Sequence, residues 1–512
     1  MKSFEKLIGV LVVMCFFSCA LTCSSRASGD VAMIILDNER VVGHFGSGLL
    51  GSNLEWTDNG DTLFTSSGAV KSQALDAVKE LPTAGIRFPG GLLSSTYYWQ
   101  DGISDQLSRG NGTDFSGNSQ KMVVGTDEYL DLLAETGRPG MITVNVTRSA
   151  DEAGAWVDYV HTTAPGAVPL WEVGNESFMN QDPSFMSAAE YVKRFKQFVT
   201  TMKKEDSSIK VGAILEASLV GVTWAKVVVP EAEIWNKSVV NGTAGVADYY
   251  TVHLYAPFDA HKDDDLATLR VLQTSPLAMA DNLRKVKRLI NKYAPGAFVL
   301  VTEFNIGMSD SLAAWKYDIS LAQAAYVAQM LALFSTNGVE GAYHWSLIGN
   351  HCFGQIISGD DPRPRPSAML YKLLGSLVGA QAVYTEVDTD LLPYKEIGNV
   401  VTGLSPTIIF AQGYRRGCCL KALVVNRKPN SSVDVTFCEP DGTALTLTRG
   451  MMLTGDGPLA QIDKTPDDVG VTEIILPPGG LRVMETSAAQ EVRPSLSKVT
   501  LPPCSVALVE LR

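Results

Sequence analysis

Residues Trp171–Ser177 read WEVGNES and close a short apolar run, Val168-Pro169-Leu170-Trp171. Residues Val301–Ile306, VTEFNI, repeat the design: a β-branched run that ends on an acid, Glu303. Short apolar runs of this kind suit strands of a parallel sheet covered on both faces. Acids carried at the ends of such strands meet when the strands belong to one closed parallel sheet, because all their carboxyl ends then point the same way.

Outward from WEVGNES the chain alternates. Upstream, strands are expected at Leu49–Leu54, Ala84–Phe88 and Met141–Val146, with helices at Val70–Leu81, Thr126–Thr136 and Asp151–His161. A long loop through Asn118 follows the PGG at Pro89–Gly91. Downstream, Ser187–Met202 reads as a helix, with Ser187 and Glu190 in capping-box spacing. Strands follow at Val211–Leu215, Asp248–Tyr255, Phe298–Asn305 and Gly341–Leu347, with a mixed segment to Val240 and helices at Ala278–Tyr293, Ala322–Phe334 and Ser367–Val378. Eight strand-then-helix units between residues 45 and 379 predict an α/β fold, a (β/α)8 TIM barrel. A doubly wound sheet would show a Gly-rich turn after its first strand, and no early strand carries GxGxxG.

Beyond Gly379 the helical spacing stops. Short β-rich runs at Ala422–Val425, Val433–Phe437, Leu445–Leu447, Val471–Leu476, Leu481–Met484 and Val506–Leu511 are separated by turn formers such as Asp441-Gly442 and Pro477–Gly480. They predict an antiparallel β-sandwich over residues 380–512, completed by N-terminal strands at Val31–Leu36 and Val41–Val42 within residues 30–44.

The 512-residue length suits more than one domain, since single cores stop growing near ~250–300 residues. The net charge of −13 and the lack of a basic cluster exclude a phosphate-tracking surface, so nucleic acid is not an expected partner. Residues 1–29 read as a secretory signal: Lys2 and Lys6 precede an apolar core, Leu7–Cys19, and small and polar residues follow at Ser24–Gly29. Cys19 and Cys23 each follow a hydroxylated residue and are candidates for lipid attachment, with simple cleavage as the alternative. Either way the mature protein is expected outside the cytoplasm: secreted, periplasmic or on the cell surface. No later stretch is long and apolar enough to span a bilayer. Of eight Cys, five lie past the leader: Cys352, Cys418, Cys419, Cys438 and Cys504. A bridge from Cys438 to Cys418 or Cys419 and five free thiols are both open readings, and the spacing matches no zinc site.

The expected strand ends carry Asn53, Glu55, Arg87, Asn145, Asn175, Glu176, Glu216, His253, Tyr255, Glu303, Asn305 and Trp345. Polar groups in such numbers at the tips of buried strands cost free energy unless paired or used. Glycoside cleavage needs this inventory: one protonated carboxyl to deliver a proton to the leaving oxygen, and one ionised carboxylate to attack the anomeric carbon. Arg87 supplies a counter-charge for Glu303. Asn175 can bond the hydroxyl next to the reacting carbon, Tyr255 can orient the nucleophile, and Trp345 offers an apolar face to a sugar ring.

An Asn-Glu after the fourth strand and a Glu after the seventh resembles the clan of retaining (β/α)8 glycoside hydrolases. AGIRFPGG (Ala84–Gly91), YYWQDGI (Tyr97–Ile103), SNLEW (Ser52–Trp56), HLY (His253–Tyr255), VVNR (Val424–Arg427) and LPPCSVALVEL (Leu501–Leu511) narrow the resemblance to the α-L-arabinofuranosidases of glycoside hydrolase family 51. The resemblance implies Glu176 as acid/base and Glu303 as nucleophile. It further implies Asn175 and Glu55 as hydroxyl-binding groups, Tyr255 as the partner of the nucleophile, and Arg87 and His253 as supporting residues. The chain departs from the family pattern at Leu92, where the family usually has Asn, and at Thr302-Glu303-Phe304, where it commonly has Asp-Glu-Trp. The eighth strand, GAYHWSLIG, also lacks the family's Gln-containing segment. A carbohydrate substrate is therefore expected, with no cofactor and no metal. Arabinofuranosides lead, β-glucuronides and β-xylosides follow, and a carbohydrate-binding protein without catalysis is the reading from another class.

Overall fold

The computed structural model describes residues 30–217, 229–256, 264–307, 315–392, 406–463, 469–475, 482–483 and 498–512. The expected leader, with Cys19 and Cys23, lies outside the described residues, as do Leu481 and Met484 at the ends of one expected strand. Twenty-two strands are described, here β1 (Val31–His44), β2 (Gly48–Asn53), β3 (Ile86–Phe88), β4 (Asn111–Thr113), β5 (Ser119–Lys121), β6 (Gly140–Val144), β7 (Leu170–Val173), β8 (Lys210–Ile214), β9 (Tyr249–Ala256), β10 (Phe298–Ile306), β11 (Gly341–His344), β12 (Ile356–Ile357), β13 (Arg363–Pro364), β14 (Gln381–Asp388), β15 (Ile409–Arg416), β16 (Cys419–Asn426), β17 (Val433–Cys438), β18 (Leu447–Gly455), β19 (Val469–Ile475), β20 (Arg482–Val483), β21 (Lys498–Leu501) and β22 (Val506–Leu511).

Eight of them close a parallel barrel in the order β10-β11-β2-β3-β6-β7-β8-β9. The pairing of β11 with β2 (Gly341 with Gly48, His344 with Ser52) joins the last strand to the first. Helices on the outside follow the strands, among them Thr126–Thr136, Ala188–Glu205 and Leu321–Thr336. At the start of Ala188–Glu205 the Ser187 side chain accepts the Glu190 N–H at 3.2 Å. One floor of the barrel interior is apolar, built by Met141, Tyr249, Leu300 and Tyr343. Arg87, Glu172 and Thr302, all fully buried, bring charge and hydrogen-bonding groups into the same interior.

A ten-stranded sheet, β20-β19-β18-β22-β16-β15-β14-β1-β17-β21, forms the second layer system. The N-terminal β1 lies inside it, antiparallel to β14 and parallel to β17, so one parallel pair interrupts the antiparallel order. The chain ends thus meet in one curled β-sheet beside the barrel. Helix Leu321–Thr336, buried on nearly every side, is wedged between the two; its Ser335 shares a 3.0 Å hydrogen bond with Tyr414 of β15.

Several expectations are corrected. The N-terminal runs form one strand, β1, with register shifts between Asp37 and Val41 and between Val41 and Gly43. The segment after PGG is not a plain loop: it holds two 3-10 turns (Leu92–Thr96, Trp99–Gly102) and the β4–β5 hairpin. Within the mixed segment, Val229–Thr243 is a helix, while residues 218–228 lie outside the described ones. The helix expected from Ala278 begins at Asp265 and runs through Pro276. The strand expected to end at Leu447 instead begins there, and β14, β15 and β21 were absent from the sequence pattern. All five described cysteines are free thiols. A bridge from Cys438 to the Cys418–Cys419 pair is prevented by topology, because β15, β14 and β1 lie between β16 and β17 and a disulfide spans only about 7 Å between Cα atoms.

Candidate active site

All eight expected site residues lie at the carboxyl-end face of the barrel. Arg87 is in β3, His253 and Tyr255 are in β9, and Glu303 is in β10. Asn175 and Glu176 follow β7, Glu55 follows β2, and Trp345 follows β11. Six of the eight form one assembly, in which hydrogen bonds join Arg87, Glu303, Asn175 and Tyr255 and a 3.6 Å contact from His253 to Glu303 brings in the His253–Glu176 pair.

The assembly is organised around Arg87, whose guanidinium is fully buried. Its Nε and Nη2 donate to Glu172 Oε2 at 2.9 and 2.7 Å, and its Nη1 donates to Glu303 Oε1 at 2.9 Å. The remaining bonds, 2.9 Å each, go to Asn53 Oδ1 and Asn175 Oδ1. A buried cation needs such a shell, since removing one partner of a buried pair costs about 3–5 kcal/mol. Glu172 also accepts hydroxyl bonds from Thr143 and Thr302 at 2.9 Å each. Burial alone would raise its pKa, but the charge and hydrogen bonds of Arg87, with the charge of His253, outweigh it and hold the carboxyl below the usual range. Glu172 was not among the expected site residues, although it stands inside WEVGNES. Its signal was a charge within a strand buried on both faces, which demands a buried partner.

The two catalytic candidates face each other across the mouth. A carboxylate oxygen of Glu176, one of Glu303 and a ring nitrogen of His253 all lie within 4.8 Å of one another. Tyr255 donates its hydroxyl to Glu303 Oε2 at 2.7 Å. With Arg87 on Oε1, the Glu303 carboxylate is held at both oxygens. Glu176 Oε1 meets His253 Nδ1 at 2.7 Å, and its backbone N–H donates to Asp182 Oδ2 at 3.3 Å. Burial is the largest influence on Glu176 and raises its pKa, with the charge of Glu303 adding to the rise against the lowering by His253. His253 would be lowered by burial, but Glu303 and Glu176 together raise it. One carboxyl is thus clamped by donors while the other is buried with a proton-bearing neighbour, the asymmetry that divides acid from nucleophile.

Asn175 completes the constellation. Its Oδ1 is fixed by Arg87, and its Nδ2, itself buried, has no hydrogen-bond partner among the described residues. Glu55 touches this network electrostatically: burial, then Asp61, Glu303 and Asp58, push its pKa well above the usual carboxylate value. Trp345 joins through its backbone, its carbonyl accepting Asn305 Nδ2 at 2.6 Å. Its indole lies against the PGG turn, where a Cβ on Gly91 would come within 2.5 Å of the ring. Of the other expected strand-end groups, Asn145 bonds the Tyr97 carbonyl and Thr147, and the Glu216 N–H bonds Asn236. Two clusters of the described residues have metal-ligand spacing, Glu176–His253–Glu303 and Glu55–Asp61–His351. In the first, His253 serves the carboxylates as a hydrogen-bond partner.

The fold belongs to the class of (β/α)8 barrels carrying a β-sandwich at their side, and it is shared with solved arabinofuranosidases. The structure of the family 51 arabinofuranosidase from Xanthomonas axonopodis pv. citri superposes with a TM-score of 0.76 at 17% identity, covering 94% of this chain and 100% of that one. A family 51 α-L-arabinofuranosidase from Bifidobacterium longum gives 0.78 at 18%, with the same coverage. A Paenibacillus polymyxa xyloglucanase of glycoside hydrolase family 44 is more distant, at 0.60 and 13%, covering 94% and 100%. In sequence, the chain is similar to α-L-arabinofuranosidase C of Emericella nidulans, 27% identical over 230 residues, 41% of this chain and 45% of the relative. An intracellular exo-α-(1→5)-L-arabinofuranosidase of Halalkalibacterium halodurans is 25% identical over 242 residues, 43% and 46% of the two chains. The chain thus matches less than half the length of these curated relatives. No family model matches it.

Proposed function

We propose that this protein is a retaining glycoside hydrolase that removes terminal α-L-arabinofuranosyl residues by double displacement. The observation that carries the reading is the Glu176–Glu303 pair, whose oxygens approach within 4.8 Å. Retaining enzymes hold their carboxyl groups about 5–5.5 Å apart, whereas inverting ones leave room for a water at about 6.5–9.5 Å. Glu303 attacks the anomeric carbon and Glu176 protonates the leaving oxygen. Glu176 then takes a proton from the water that releases the sugar from Glu303, which restores both carboxyls. The unpartnered Nδ2 of Asn175 supports a bond to the hydroxyl beside the reacting carbon, and the indole of Trp345 supports an apolar wall for the sugar ring.

The names of the similar proteins support arabinofuranosides over β-glucuronides and β-xylosides. Among the described residues no helix is long and apolar enough to cross a membrane. The leader sequence supports action outside the cytoplasm, which N-terminal sequencing of the exported protein would check. The deciding experiment is an aryl-glycoside panel of arabinofuranoside, xyloside, glucuronide and galactofuranoside, with the anomer of the first-formed product followed by NMR. Arabinofuranoside cleavage with retention is expected; inversion would refute the mechanism, and preference for another glycoside would refute the sugar.

A further inference from the structure

Beside the catalytic pair, the loop after β2 meets the loop after β11. Glu55 leaves β2 toward the pocket, and Asp61 returns to it on a left-handed turn in which Asp58, Asn59, Gly60, Asp61 and Thr62 all have positive φ (50°, 58°, 64°, 52° and 67°). His351 arrives from the other loop. One carboxylate oxygen from each acid and a ring nitrogen of His351 lie within 4.8 Å of one another. Glu55 and Asp61 are only 6% and 5% exposed. Even so, Glu55 Oε1 and Asp61 Oδ2 have no hydrogen-bond partner among the described residues. Buried carboxyl oxygens left unpaired are costly, so a pocket that keeps two of them is shaped for a ligand that brings donors.

The histidine decides what kind of ligand. The Phe353 N–H donates to His351 Nδ1 at 3.2 Å, so the neutral ring carries its proton on Nε2. That proton faces Asp61 Oδ1 at 3.2 Å. His351 therefore occupies one oxygen of Asp61 and leaves Oδ2 open, and its Nε2 has no lone pair for a cation. The loop is anchored for this purpose: Arg365 holds the carbonyls of His351 and Gly354 at 2.8 Å each and is itself clamped by Asp463 at 3.1 and 2.7 Å. Two carboxyl groups, each with one unpaired buried oxygen, close to the charge of Glu303 suit an uncharged group that can both donate and accept, which beside the catalytic pair means a sugar hydroxyl.

We infer that Asp61, oriented by His351, is a second hydroxyl acceptor beside Glu55, and that this carboxyl pair selects the hydroxyl pattern of the sugar attacked by Glu303. The inference rests on the glycosidase reading above. Asp61 is the binding residue and His351 a positioning residue.

The test compares kcat/KM of the wild type, Asp61→Asn, His351→Gln and His351→Phe on 4-nitrophenyl α-L-arabinofuranoside and its three monodeoxy analogues. Asp61→Asn should lose about tenfold or more on the parent glycoside, and stay within about threefold of wild type on the one analogue that lacks the bound hydroxyl. His351→Gln keeps an N–H where Nε2 stood and should stay within about threefold, whereas His351→Phe should reproduce the Asp61→Asn pattern and add nothing to it in the double variant. His351→Phe carries the test if Asp61→Asn does not fold. An equal loss on all four substrates, or no loss, overturns the inference while leaving the glycosidase reading intact. Activity abolished by EDTA and restored by a divalent cation would also overturn it, in favour of a metal site. If the wild type cleaves no member of the broader panel, the glycosidase reading and the inference fail together.

Discussion

Glu176 shows how one residue's surroundings assign its task. Burial and the nearby Glu303 raise its pKa, so it keeps its proton to a higher pH than an ordinary carboxyl. In the proposed mechanism the acid form is the active one for the first step, so kcat/KM should fall as pH rises through that raised value, and Glu176→Gln should remove this alkaline limb. Glu176→Ala should lose about 10²–10⁴-fold on glycosides with poor leaving groups. It should retain the first step on dinitrophenyl glycosides, whose leaving group needs no proton, and added azide should yield a glycosyl azide of retained configuration. Pre-steady-state kinetics and product NMR check both; equal losses on all leaving groups would remove Glu176 from the acid role. At this scale the sequence was legible where an acid ended a strand, as with Glu176 and Glu303. It was illegible at Asp61 and His351, which sit on separate loops 290 residues apart and meet only through the closure of β11 onto β2.

The elements explain why the site residues stand where they do. The parallel strands could be read because burial on both faces makes their sequences continuously apolar. Pro276 ordinarily ends a helix and masks the first turns of Asp265–Tyr293, yet the chain runs through it with a buried stripe that includes Leu269, Leu272, Met279 and Leu283. In helix Val229–Thr243, within the segment that reads as mixed, Ala232, Trp235, Val239 and Val240 recur at helical spacing and are buried. Strands β18 and β15 carry Gly450 and Gly413, which break the β-branched runs that mark strands elsewhere. The PGG turn after β3 yields a prediction of its own. Gly91 has φ 52° and ψ −161°, a conformation that side chains rarely tolerate, and its missing Cβ gives the Trp345 indole its place. Gly91→Ala should cost about 1–3 kcal/mol and displace that ring. A lower melting temperature, altered tryptophan fluorescence and a kcat/KM loss of about tenfold or more are expected. Unchanged kinetics would show that Trp345 does not line the sugar site.

At the scale of the whole molecule, barrel and sheet are a single packed body. One continuous core cluster includes barrel residues such as Val173 and Val301, helix residues such as Tyr326 and Leu331, and sheet residues Phe410, Tyr414, Val425 and Leu508. The polar link runs the same way: Arg427, just past β16, donates to Gln329 Oε1 at 2.8 Å, and Gln329 donates to Gln273 Oε1 at 2.9 Å. Gln329 lies in Leu321–Thr336 and Gln273 in Asp265–Tyr293, so a sheet residue is tied to two barrel helices through buried side chains. Domains joined by small polar interfaces often unfold separately. Here the apolar surface of Leu321–Thr336 would be stripped by losing either neighbour, and the N-terminal β1 cannot leave the sheet without opening two new edges, toward β14 and β17. Calorimetry should therefore show one endotherm for the folded chain. Arg427→Ala should move that whole endotherm down by an amount equivalent to about 3 kcal/mol, because it removes a large buried side chain and leaves Gln329 Oε1 and the Thr407 carbonyl without their donor. An early transition confined to the sheet, with glycosidase activity surviving above it, would show that the barrel stands without its neighbour and that the shared core does not couple them.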